Sequence, residues 1–168
     1  ADIAANHDGE LNRAKDLIWE SKQAGADCAK FQHFIADKIV SREGFSQGVG
    51  QVSHQAGWKK EVHEIYDQYH TRREWTDELI KECEKAEIEF MTTPYDIEAI
   101  ELLDAHLGAY KIGSGDITFL ELLEAVAKRN KPIILATGAA DIADTIRAVE
   151  ALSSHNNQIA ILQCNTNY

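Results

Sequence analysis

The chain has 168 residues, enough for a substantial core in one domain, and its 17 basic against 28 acidic side chains leave a formal net charge of −11. That excess of acid argues against nucleic acid and anionic membrane surfaces as partners, and a site for an anion would have to gather its own lysines. No apolar run approaches a membrane span and no signal peptide is visible.

Three cysteines, Cys28, Cys83 and Cys164, are odd in number and lack CxxC spacing. Cys28 and Cys164 fall in strand-like runs, which predicts buried free thiols rather than disulfides or zinc ligands, in a reducing cytoplasm.

Residues 1–5 read as the end of a strand, followed by the turn Asn6-His7-Asp8-Gly9. Leu11, Ala14, Leu17, Ile18 and Ser21 keep helical spacing up to Gly25. A second strand covers 26–31 and ends in Lys30-Phe31-Gln32-His33. A long irregular segment follows over about 33–69, with Gly44, Gly48, Gly50 and Gly57, and its length suggests a lid or insertion. Its later part, 58–69, predicts a short aromatic helix in which Trp58, Tyr66 and Tyr69 pack the lid. Thr71 or Thr76 is expected to cap a helix running to about Ala86, and 88–93 is a third strand stopped by Pro94.

From there the rhythm is short and regular. A helix over 97–106 turns Ile100 and Leu103 inward, and one over 119–128 does so with Leu122, Leu123 and Val126. The strand between them carries Lys111 and breaks into Gly113-Ser114-Gly115-Asp116. Residues 132–136 form a fifth strand ending in Thr137-Gly138. A helix over 141–152 turns Ile142, Ile146 and Val149 inward, and 158–164 is a sixth strand. The outlying histidines His54, His63, His70, His106 and His155 read as surface residues, and His7 lacks a partner at metal-ligand spacing.

Strands alternating with helices predict a parallel sheet with right-handed crossovers. An open sheet concentrates its chemistry at one switch point, whereas here every strand ends in polar, reactive types. Only a closed (β/α)8 barrel brings such ends to one mouth, so the fold class is α/β, a TIM barrel of which this chain covers about six strands. The chain stops at Tyr168, just past a strand, and reads as a fragment of a longer protein. A lysine in an apolar strand is costly to desolvate unless an anion meets it, and Gly-Ser-Gly supplies a hydroxyl and amide donors beside it. Lys111, Ser114 and Asp116 therefore suggest a site for a small phosphorylated or carboxylated substrate.

At this point the residues resemble a family. The opening Ala1-Asp2-Ile3-Ala4-Ala5-Asn6-His7-Asp8-Gly9 is similar to the first motif of the sialic acid synthase (NeuB) family. Ala29-Lys30-Phe31-Gln32, Thr92-Thr93-Pro94, the stretch 109–116, Ala136-Thr137-Gly138 and 163–168 resemble its successive strand ends, in order. The resemblance implies a partial NeuB-type barrel over 1–168, without the last two strands and without a small C-terminal antifreeze-like domain that reaches a partner subunit's active site in a homodimer. It implies condensation of phosphoenolpyruvate with an N-acetylated hexose, releasing phosphate and giving a nonulosonic acid. It also implies a divalent metal, manganese or magnesium, that polarises the aldehyde, with its histidine ligands on the last two strands. By resemblance, Lys30 and Lys111 hold the carboxylate and phosphate of phosphoenolpyruvate with Thr93, Ser114 and Thr166, while Gln32 and Tyr168 contact the sugar. Asp2 and Asp116 stand where the family usually has glutamates near the reacting centre, each one methylene shorter, and Ala136 stands where many members have a serine.

Two other readings fit the residues alone. One is a class I aldolase with Lys30 or Lys111 as Schiff-base nucleophile, and the other is a non-catalytic sugar- or anion-binding barrel.

Overall fold

A computed structural model describes residues 1–46 and 58–166, in which each strand is followed by one or more helices before the next. The strands are β1 (Asp2–Ala4), β2 (Cys28–His33), β3 (Glu89–Pro94), β4 (Tyr110–Ile112), β5 (Ile133–Ala136) and β6 (Ile159–Leu162). The helices are α1 (Leu11–Gln23), α2 (Ala36–Ile39), α3 (Arg42–Ser46), α4 (Val62–Tyr69), α5 (Thr76–Ala86), α6 (Ile97–Leu103), α7 (Leu120–Ala127) and α8 (Ile142–Ser153).

Every pairing is parallel and sequential, β1-β2-β3 and β4-β5-β6, with β3 lying alongside β4 to join the two ladders. Flat, six strands would set β1 and β6 about 24 Å apart, five spacings of ~4.8 Å. Instead Asp2 of β1 and Thr166, just past β6, line one cavity of about 600 Å³. The strands therefore curl, and this is the arc of a (β/α)8 barrel.

The period-2 geometry of a strand sorts its side chains into two layers. On β2, Ala29, Phe31 and His33 are buried, while Cys28, Lys30 and Gln32 are half-buried; on β4, Tyr110 and Ile112 are buried and Lys111 is half-buried. The buried set faces the helices, where it meets Ile18, Leu79, Ile100, Leu103, Leu122 and Leu123 in one apolar cluster. Each such side chain contributes on the order of 1.5–3 kcal/mol by burial. The other set faces the barrel interior.

Several expectations need correction. The segment 33–69 is largely helical where it is described: α2 and α3 were not foreseen, and α4 matches the aromatic helix. Gly48, His54 and Gly57 lie outside the described residues. Neither Thr71 nor Thr76 caps α5, which has no side-chain cap. Their hydroxyls are taken by two buried histidines instead, Thr71 by His7 (Nε2 to Oγ1, 3.1 Å) and Thr76 by His33 (3.1 Å), whose other ring nitrogen bonds Thr92 (2.9 Å). Burial, then the nearby Arg73 charge, pushes His33 down to about 3, so it stays neutral. His63 is buried rather than at the surface, bonded to Asp37 at 2.6 Å between α2 and α4.

Cys28, on the half-buried face of β2, and Cys164, past the end of β6 on the cavity wall, are half-buried, and Cys83 is the buried thiol; all three are free. On α8, Ile142 and Ile146 are 76% and 52% exposed, and Ala148 and Leu152 are the buried pair. The helix offers two apolar stripes at i, i+4 spacing, and packing against α7 selects the one whose alanine permits close approach.

Candidate active site

Strand register explains how the polar ends meet. In a parallel ladder, paired residues point to the same face, and β1 pairs Asp2 with Lys30 while β2 pairs Gln32 with Thr93. Lys111 pairs with Ile134 one ladder further on. Asp2, Lys30, Gln32, Thr93, Lys111, Ser114, Asp116 and Thr166 all line the 600 Å³ cavity. Of the nine site residues read from the sequence only Tyr168 lies outside the described residues.

The two lysines of the cavity sit differently. Lys30, 18% exposed, is paired with Asp2 at 2.7 Å. The Lys111 ammonium donates to the carbonyl of its own neighbour Ile112 at 2.9 Å. Burial lowers the Lys111 pKa, and the Lys30 charge pushes the same way, against weaker pulls from Cys164, Asp2 and Asp116. A cation held beside another cation in a partly dry cavity gains by meeting an anion. Asp116 is pushed up to about 6 by burial, with Lys111 opposing, so this carboxyl exchanges its proton close to neutrality.

Hydroxyls stand in the same lining as the two lysines. Ser114 sits in a single 3-10 turn over Ser114–Asp116, where its Oγ accepts the Gly138 N–H at 3.0 Å. That leaves the serine hydrogen to be donated elsewhere. Thr166 Oγ1 donates to the Gly138 carbonyl at 3.4 Å and Thr137 Oγ1 to the Leu162 carbonyl at 3.1 Å, which stitches the ends of β5 and β6 together. A Cβ on Gly138 would stand 2.9 Å from the Cys164 carbonyl oxygen, so only glycine allows this approach. Ala136 lines the same wall without a hydroxyl.

Part of the lining is aromatic and was largely missed by sequence reasoning. Phe34, Val40, Tyr66 and Tyr95 line the cavity, with Phe34 packed edge-on to Tyr66 (centroids 5.5 Å apart) and to Tyr95 (5.8 Å). Tyr95 lies in the loop just past β3, and no periodicity marked it. Tyr66 was read only as lid packing, and it does bring α4 to the cavity.

A divalent metal was implied by the resemblance. Among the described residues no group of three or more His, Cys, Asp or Glu could hold one. The two carboxylates at the cavity are Asp2, paired with Lys30, and Asp116, which faces Lys111. These residues do not form a metal site.

The chain is similar to known proteins in sequence and in structure. The NeuB family description matches residues 17–168. The chain is 34% identical over 172 residues to the N,N'-diacetyllegionaminic acid synthase of Campylobacter jejuni, spanning all of this chain and 51% of the relative. It is 32% identical over 171 residues to the pseudaminic acid synthase of Helicobacter pylori, spanning all of this chain and 49% of that protein. Among solved structures it resembles the N-acetylneuraminic acid synthetase of Leptospira borgpetersenii, with a TM-score of 0.83, 27% identity, and coverage of 100% of this chain and 54% of that one. The chain spans about half the length of the curated relatives it matches.

Proposed function

The chain belongs to the NeuB family, and from that premise we propose that the whole protein is a synthase condensing phosphoenolpyruvate with an N-acetylated hexose to give a nonulosonic acid and inorganic phosphate. The observation that carries this reading is the pairing of Lys30 and Lys111 on one cavity with Ser114, Thr93 and Thr166. Phosphoenolpyruvate carries its carboxylate and its phosphate on the same carbon, and a multiply charged anion of that size needs two cations and hydroxyl donors in fixed positions.

In the proposed reaction, C3 of phosphoenolpyruvate attacks the aldehyde carbon of the open-chain sugar; the new C–C bond takes its electrons from the enol double bond, and the carbonyl π pair moves to the aldehyde oxygen, which ends as a hydroxyl on receiving the proton that Asp116 returns. Water then adds at C2, its proton passing to Asp116, whose raised pKa suits it to accept and later return a proton. The C2–O bond to phosphate breaks as the C2 hydroxyl becomes the keto oxygen. Lys30 and Lys111 hold the phosphate and carboxylate through these steps, and Ser114 donates to a phosphate oxygen. Gln32 orients the sugar. NeuB-family enzymes are generally metal-dependent, and in this reading histidines on strands beyond β6 would hold the metal, which would polarise the aldehyde. No helix among the described residues is long and apolar enough to cross a membrane, and a cytoplasmic homodimer suits the reading.

The lowered pKa of Lys111 also suits a Schiff-base lysine. The synthases among the relatives favour condensation over that chemistry. The test uses the full-length protein with manganese, phosphoenolpyruvate and a panel of N-acetylated hexoses. Phosphate release that requires both sugar and metal is expected, with no pyruvate adduct trapped by borohydride. A trapped adduct on Lys30 or Lys111 would replace the synthase with an aldolase, and binding without phosphate release would make this an anion-binding barrel.

A further inference from the structure

Gln32 is held by a neighbour that the reaction does not itself require. Its Nε2 donates to the Tyr95 phenol oxygen at 3.0 Å. Tyr95 stands over Gln32 because β3 pairs Thr93 with Gln32, and the chain continues past Pro94 with the Tyr95 N–H bonded to the His33 carbonyl at 3.1 Å. The Tyr95 ring is fixed on one side by Phe34, edge-on at 85°. Its hydroxyl lies near the end of β4, 3.7 Å from where a Cβ on Gly113 would stand, an ordinary van der Waals distance. Tyr95, just past β3, thus bridges to the end of β2 on the wall of this cavity.

A glutamine amide has a broad, roughly two-fold terminal torsion, so an unheld Gln32 would present either its N–H₂ or its carbonyl oxygen to a ligand. With Nε2 committed to Tyr95, the oxygen is left as the acceptor. We infer that Tyr95 is a positioning residue for the acceptor sugar: it holds the Gln32 amide so that its carbonyl oxygen receives a hydroxyl or acetamido N–H of the N-acetylated hexose. The inference rests on the synthase reading above. Tyr95 acts through Gln32 and touches neither phosphoenolpyruvate nor the reacting carbons in this scheme, so its loss should appear in the sugar's KM and not in kcat.

The experiment uses the full-length protein, with N-acetylmannosamine and the di-N-acetylated hexoses as probes. It compares wild type, Tyr95→Phe, Gln32→Ala and the double variant. Tyr95→Phe keeps the ring against Phe34 and removes only the hydroxyl. It should raise the sugar KM about 3- to 10-fold, the range for one neutral hydrogen bond. The KM for phosphoenolpyruvate, kcat and the melting temperature should stay close to wild type. In the Gln32→Ala background the same change should have no further effect, because the partner is gone. An unchanged sugar KM in an active Tyr95→Phe protein, or effects that add in the double variant, would overturn the positioning role alone. A wild type that releases no phosphate with any of these sugars would remove the synthase reading and this assignment with it.

Discussion

Lys111 offers the sharpest single perturbation. In the empty protein its ammonium is half-buried, disfavoured by burial and by Lys30, and bonded to one backbone carbonyl at 2.9 Å. Lys111→Ala therefore removes one hydrogen bond, on the order of 1 kcal/mol, and at the same time relieves an unfavourable cation–cation contact. The two changes oppose each other, so the melting temperature should move by no more than about 2–4 °C. With phosphoenolpyruvate bound the balance differs. The lysine then makes a charge-assisted contact to a developing or full anion in a screened cavity, and its loss should cost about 2–4 kcal/mol. That corresponds to roughly 30- to 700-fold in kcat/KM for phosphoenolpyruvate. Lys111→Arg should rescue incompletely, since a planar guanidinium does not fit where a strand presents a point charge. Steady-state phosphate release by the full-length protein, run beside a thermal melt, separates the effects. Unchanged kinetics with a lowered melting point would make Lys111 a packing residue and refute the anion-site argument.

Two further predictions follow from the cavity wall. Asp116, at about 6 in the folded chain against a usual value near 3.8, binds its proton more tightly folded than unfolded. The stability it contributes is therefore present at low pH and is lost as pH rises from about 4 through about 6. Melting curves of wild type and Asp116→Asn across that window should diverge, with wild type declining relative to the variant; parallel curves would mean the carboxyl is not raised. Gly138→Ala drives a Cβ to 2.9 Å from the Cys164 carbonyl. The backbone must shift, at about 1–3 kcal/mol, and because Ser114 takes its bond from the Gly138 N–H, a urea melt should show the loss together with a raised KM for phosphoenolpyruvate. A variant of wild-type stability would show that the β5 and β6 ends tolerate separation.

Much of this protein was legible in the sequence, and the reason is periodicity. Strand alternation and helix spacing are local properties, so the six strands, the major helices and the inward placement of Lys30 and Lys111 could be read without a fold. The polar residue at each strand end was equally local, and it chose the barrel, because only a curled sheet gives those ends a common destination. What sequence alone left undecided involved choices between equivalent options. Two apolar stripes on α8 were equally good by spacing, and only the approach of α7 selected Ala148 and Leu152 over Ile142 and Ile146. Thr71 and Thr76 had the chemistry of caps, yet buried His7 and His33, distant in sequence, claimed their hydroxyls. The aromatic wall of Phe34, Tyr66 and Tyr95 joins residues from a strand end, a lid helix and a loop, and no local pattern links them. The electrostatics were likewise a matter of tertiary structure. The raised Asp116 and the lowered Lys111 depend on burial and on a cation from another strand, both set by how the six strands curl.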